Sequence, residues 1–451
     1  MKTAKLRLIT TILIVAVLIL TPLLLTNCTS KEQEGIAEEE APDEEGIVPG
    51  KEETPEEEIT PEESDSLVSS VDSNFISSNT EFGFNIFKEL ALEDKGKNIF
   101  ISPLSILSAL TMTYNGAEGG TASAMEEALK FNGFDSSSIN KNFSSLIKGI
   151  KSADTDIEIE IANSIWYRPG YDVREEFIEK NKKYFDSEVS EIDFSSPDAP
   201  RTINSWIEEK TKGKIDKMID RIPPDVVMYL INAIYFKGDW TYPFDENLTG
   251  EDNFYLEDGT TKEVPMMKQK KEFSYYAEDS LSAIKLPYGK EKMSMYIILP
   301  GKGISIDTVV ESLNVDKWNS IKESFATREV SLTMPKYKME YGIKSLKDAL
   351  TSLGMGIAFD SELADFSGIC KPGETPCFIS DVLHKAVIEV NEKGSEAAAA
   401  TVVEMRATAA MPAEEIVEFK VDRPFFFMII DERTGSILFM GKVMEPGVVE
   451  P

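Results

Sequence analysis

His384 is the one imidazole in a chain of 451 residues. A Ser-His-Asp triad would have to be built on it, and no Gly-x-Ser-x-Gly elbow accompanies it. Sites with several His ligands are excluded, so no metal is expected. Three cysteines, Cys28, Cys370 and Cys377, are too few for a disulfide-dense scaffold or a four-Cys zinc site. His384 lies in the apolar run VLHKAVIEV, where a buried imidazole satisfied by hydrogen bonds competes with a catalytic base and is favoured over it.

The other segment that could do chemistry is 392–411, EKGSEAAAATVVEMRATAAM. Local propensity says helix, because Ala and Glu are good helix formers. The flanks say strand. At period two, one face is Ser395, Ala397, Ala399, Thr401, Val403 and Met405. The other is Glu396, Ala398, Ala400, Val402, Glu404 and Arg406. Every charge from 395 to 406 falls on the second face. A segment with one face small and then apolar could slide into a sheet against a core.

The elements around these residues follow from periodicity. Helical spacing is expected over 74–92, from Pro103 with Ser102 as N-cap, and over 121–130, 173–185, 200–212 and 345–353. Strands are expected over 157–167, 293–299, 329–341 and 379–391. The long apolar run 226–238 suits a strand buried on both faces. A hairpin turns at Asp431–Gly435 near the end. Long strands mixed with early helices give an α+β fold rather than a doubly wound one.

Charge divides the chain into three. Residues 1–30 carry Lys2, Lys5 and Arg7 before an apolar run from Leu8 to Leu25, which reads as an export signal or membrane anchor. Leu25-Thr26-Asn27-Cys28 resembles a lipoprotein signal, with Cys28 as lipidation candidate; Asn27 departs from the small residue that pattern wants. Residues 31–66 hold sixteen acids against Lys31 and Lys51, the composition of a disordered, extended linker. Residues 67–451 are expected to form one domain. The net charge of -32 argues against a nucleic-acid partner.

NIFISPLSI, NGAEGGT, NSWIEEKTKGKI, LINAIYFKGDW, ADFSGI, EKGSEAAAAT and DRPFFFMI stand in the order of serpin family signatures, and the sequence resembles a serpin over nearly all of 74–446. The resemblance implies three β-sheets, about nine helices and a reactive loop at about 391–415. It implies a suicide substrate and no enzyme. A protease cleaves the loop, the loop enters the central sheet, and the acyl-enzyme is trapped. The hinge would be Glu392, Gly394, Ser395, Glu396, Ala397, Ala398, Ala399, Ala400 and Thr401.

Family spacing from Glu392 places the scissile bond at Thr408–Ala409, with Arg406 and Met411 as rivals. By the same resemblance His384, Asn232, Ser102 and Ser105 form the shutter beneath the sheet's opening point, and Trp240 marks the breach where insertion starts. Cys370 and Cys377 flank Lys-Pro-Gly-Glu-Thr-Pro and are either bridged or free thiols. The implied partners are serine proteases, with cysteine proteases as a second class, and a membrane through the N-terminus. The implied protein is a monomer outside the cytoplasm with no cofactor. The alternative is a serpin-fold binding or structural protein that does not inhibit.

Overall fold

The computed structural model describes residues 59–371, 376–395 and 416–447. In chain order the helices and strands are α1 (Pro61–Ser69), α2 (Ser73–Glu93), β1 (Ile99–Ile101), α3 (Pro103–Tyr114), α4 (Gly119–Ala128), α5 (Ser136–Lys151), β2 (Ile157–Tyr167), α6 (Glu175–Phe185), β3 (Glu188–Glu191), α7 (Ala199–Lys210) and β4 (Met228–Asp239). There follow β5 (Gly250–Tyr255), β6 (Thr261–Ala277), β7 (Leu281–Tyr288), β8 (Met293–Pro300), α8 (Ile306–Ser312), α9 (Val315–Glu323), β9 (Ala326–Pro335), β10 (Tyr337–Glu340), β11 (Lys344–Ser345), α10 (Lys347–Ser352), β12 (Asp381–Val390), β13 (Gly394–Ser395), β14 (Val417–Lys420), β15 (Phe425–Asp431) and β16 (Ile437–Val443).

The strands form two hydrogen-bonded sheets among the described residues, not the expected three. The reason is β6. Its 17 residues pair with β5, β9 and β7 in turn, and this welds two ladders into one sheet of nine strands. The expected strand over 329–341 also divides. Its first part, β9, joins the nine-stranded sheet, and its second, β10, joins the other.

The seven-stranded sheet holds the functional residues, in the order β10-β12-β13-β4-β2-β3, with β11 paired to β12 off that path. Its centre is β4, whose first nine residues are all buried. Met228, Leu230, Ile234 and Phe236 face the main core, and Tyr229, Ile231 and Ala233 face a second core with Ile203 and Ile207 of α7. Burial on both faces explains the unbroken apolar run that the sequence shows. β2 runs antiparallel to β4 and β12 runs parallel to it, from Asp381 opposite Tyr229 to Val387 opposite Tyr235.

The folded body begins earlier than residue 67. Thr60 caps α1 through a reciprocal pair with Glu63. Ser64 is fully buried and donates to the Gly149 carbonyl at 2.7 Å. Asp65 pairs with Lys292 at 2.7 Å and Arg433 at 3.1 Å. Residues 61–66 therefore belong to a packed helix. Glu63 serves as a cap and Asp65 as an ion-pair partner rather than as part of an extended linker.

Candidate functional site

Two clusters occupy the seam between β4 and β12. The lower one is built on His384, which faces Asn232 directly across the parallel pair, while Asn232 faces Asn163 across the β2–β4 pair. The Ser102 backbone N–H donates to His384 Nε2 at 3.2 Å. That nitrogen is therefore the acceptor, and the ring proton sits on Nδ1, 2.6 Å from Asn232 Oδ1. The Asn232 amide donates to Asn163 Oδ1 at 2.6 Å and to the hydroxyl of Ser105. Asn163 passes the chain on to Ser108 Oγ at 2.9 Å. Ser102 Oγ caps α3 by accepting from the Ser105 N–H at 3.2 Å. Complete burial lowers the His384 pKa to about 3, so the ring is neutral. With both nitrogens occupied and no exposure, it lacks the free lone pair and solvent access of a general base.

The upper cluster lies six residues along β4, about 20 Å away at strand rise. Here β4 and β12 have parted, and β13 stands between them. Gly394 is opposite Asp239, and Ser395 is opposite both Gly238 and Val390. The Trp240 backbone N–H donates to Lys393 O at 2.7 Å, and its indole donates to Asn391 O at 2.9 Å. The Trp240 ring stacks on Tyr288 with centroids 4.3 Å apart. The Tyr288 hydroxyl lies 2.7 Å from Ser395 Oγ. Asn391 Oδ1 accepts from the N–H groups of Lys393 and Gly394 and shapes the turn between β12 and β13. Glu392 accepts from Thr249 Oγ1 at 2.8 Å and pairs with Lys336 at 3.2 Å. Burial works to raise its carboxyl pKa. Its own backbone N–H, Thr249 and Lys336 outweigh that and hold it below the usual range.

The structure thus brings His384, Asn232, Ser102 and Ser105 together, and separately brings Trp240 to Glu392, Gly394 and Ser395. Sequence reasoning missed Asn163 and Ser108 below, and Tyr288, Asn391, Thr249 and Lys336 above. Asn163 left one trace, a polar residue amid the apolar alternation of 157–167. Cys370 and Cys377 are joined by a disulfide with Cα atoms 6.3 Å apart. Residues 396–401, the candidate bonds at Arg406, Thr408–Ala409 and Met411, and Cys28 lie outside the described residues.

A sheet whose two central strands have admitted the start of a further segment at one end, and are tied by a buried polar network below, defines a strand-accepting α+β fold. The family model for serpins, described as serine protease inhibitors, matches residues 77–446. The chain belongs to the serpin family. An uncharacterised serpin-like protein of Thermococcus kodakarensis is 38% identical over 368 residues, 81% of this chain and 84% of that one. Human leukocyte elastase inhibitor is 35% identical, over 82% of this chain and 99% of its own. The crystal structure of tengpin, a thermophilic serpin, in the native state superposes with a TM-score of 0.77 at 33% identity, covering 83% of this chain and 95% of tengpin. Human thyroxine-binding globulin, solved with its hormone, matches with a TM-score of 0.76 at 30% identity over 83% and 99% of the two chains. The relatives therefore include a leukocyte elastase inhibitor, and the fold is shared with a thyroxine-binding globulin.

Proposed function

We propose that this chain is a suicide-substrate inhibitor of serine-type endopeptidases. It offers the loop around 391–415 as bait, adds that loop to the seven-stranded sheet after cleavage, and holds the protease as a stalled acyl-enzyme. The observation that carries this reading is the register of β13, in which Gly394 already pairs with β4 and Ser395 pairs with both β4 and β12 within the seam.

Continued down the seam, that register runs out of β4 at Met228, which would face residue 405. Positions 397, 399, 401, 403 and 405 would then face Phe236, Ile234, Asn232, Leu230 and Met228, on the main-core side. Those positions are Ala, Ala, Thr, Val and Met. The charged residues 396, 404 and 406 would take the other side. The seam is thus long enough for the whole small-and-apolar face through residue 405, and the Thr408–Ala409 bond follows three residues past its end. An acyl-linked protease would be carried the length of the sheet. The added ladder and buried face would drive the change, which makes the resting state a kinetic trap. Thyroxine-binding globulin, solved with thyroxine bound, supports the alternative of a binding protein on the same fold. The small residues of SEAAAAT favour inhibition here, and Thr408 favours a protease with a small pocket.

The basic and apolar start of the chain supports export, with residues 1–30 as signal or anchor and Cys28 as lipid attachment. The reading is therefore of a monomeric inhibitor held at the cell surface. Mixing the chain with elastase-like, subtilisin-like and trypsin-like proteases tests it. One of them should give a band on a denaturing gel with the summed mass of both proteins. Sequencing the released peptide chooses between Thr408, Arg406 and Met411. Clipped loop with fully active protease in every case, and no gain in melting temperature, would defeat the proposal.

A further inference from the structure

Ser395 and Tyr288 both have zero exposure, and their hydroxyls are 2.7 Å apart. The phenol cannot follow Ser395 if the hinge moves. Its ring is stacked on Trp240 and set edge-on to Phe236 at 5.2 Å, and Tyr288 bridges Trp240 through the backbone. Gly394 contributes no side chain, so Ser395 carries the side-chain hold of β13. We propose that Tyr288 is the positioning residue that fixes how deep the hinge rests in the sheet, through its hydroxyl pair with Ser395. The proposal builds on the inhibitory reading above and names what sets the starting point of insertion.

Withdrawal of Ser395 would leave the Tyr288 hydroxyl unpaired among Trp240, Phe236 and the apolar core, and orphaning a buried polar group is costly. The pair therefore biases the hinge toward the seam without locking it there. A hinge already two residues deep has its first ladder bonds made before any protease arrives. Entry of the next residues then competes better with deacylation. Depth also limits how far the bait extends from the body. Tyr288 in this way tunes the division between trapped protease and merely cleaved inhibitor.

Hydrogen exchange on the intact chain, followed at the 392–395 peptide, tests the pair directly. Tyr288→Phe keeps the ring and the stack and removes the hydroxyl. It should speed hinge exchange about tenfold, the change that a bias of ~1.4 kcal/mol produces. Ser395→Ala, from the other side of the bond, should do the same. The double variant should be no faster than either single one, because the two hydroxyls act as a unit. Exchange in β2 and α3 should stay as in the parent, which a general packing defect would not allow. With a protease that the parent traps, Tyr288→Phe should raise the cleaved, untrapped fraction. Unchanged hinge exchange in Tyr288→Phe, or strictly additive single effects, overturns the proposal. A parent chain that traps no protease would sink the inhibitory reading and leave the exchange result to stand on its own.

Discussion

His384 Nδ1 lies 2.6 Å from Asn232 Oδ1 across the seam that an added strand would have to enter. Neighbouring strands are about 4.8 Å apart, so a strand placed between β4 and β12 would set them about 9.6 Å apart and break this bond. The bond therefore stabilises only the closed seam. Asn232→Ala should lower resistance to denaturant by about 1–3 kcal/mol, since it orphans His384 and Asn163. The same variant should take up a synthetic peptide of residues 395–406 faster, seen as a gain in melting temperature with time. Slower uptake would contradict a locking role.

On insertion, the register of β13 continued down the seam would bring position 401 level with both Asn232 and His384. The residue there is Thr401. Its hydroxyl would arrive where the broken bond had been and could pair with either group. Thr401→Val should leave the uncleaved protein unchanged in melting temperature, and it should reduce the further stability gained on loop cleavage by about 1–3 kcal/mol. Calorimetry before and after limited cleavage measures both. An undiminished gain would mean that the loop enters in another register.

The sequence made some of this plain for identifiable reasons. The strand expected over 157–167 is β2 to the residue, because its first residues alternate strictly and the rest is a mostly apolar run buried against both cores. The run 226–238 is β4 with its ends moved by one or two residues. Helix α1 is hidden because it continues the acid-rich composition of 31–60 without a break, although Thr60-Pro61-Glu62-Glu63 carries a capping-box signal. The period-two pattern from Ser395 marks a segment able to enter a sheet, but not that Gly394 and Ser395 are already paired, since β13 exists only where two other strands have parted. Asn163, Ser108 and Tyr288 act across contacts 55 to 107 residues apart in sequence, which no spacing rule reaches.

Gly394 passes so close to β4 that a Cβ on it would collide with the Gly238 carbonyl and come within 2.6 Å of Asp239 Cα. Both are backbone, so the neighbour cannot yield by turning a side chain. Gly394→Val should push the hinge out of the seam and convert the inhibitor into a substrate. A gel with the target protease should show cleaved chain in place of most of the complex. Full trapping by this variant would show that insertion need not begin at Gly394.

The disulfide joins Cys370 and Cys377, seven residues apart, at the entry to β12. Closing so short a loop restricts the unfolded chain by about 2 kcal/mol. Cys370→Ser with Cys377→Ser should lower denaturant stability by that amount with a normal fold by circular dichroism. Equal stability of reduced and oxidised protein would refute the assignment.

Acid should weaken the closed seam through His384 alone among imidazoles. Its pKa falls from 6.5 to about 3 on folding because burial disfavours the charged ring. The unfolded chain therefore binds a proton that the folded one refuses at any pH between those values. Stability is at its full value above pH 6.5 and falls as pH drops toward 3, by up to about 1.4 kcal/mol per unit from this group. Carboxylates add their own acid loss, so the contribution is read by difference. His384→Gln removes the titration while retaining one donor and one acceptor. It should be less stable than the parent at pH 7.5, and the gap should narrow steadily on going to pH 4.5. Denaturant midpoints at four or five pH values measure this. A gap that stays constant would mean that His384 takes up its proton in the folded seam, and the neutral Nδ1–H donor to Asn232 would have to be given up.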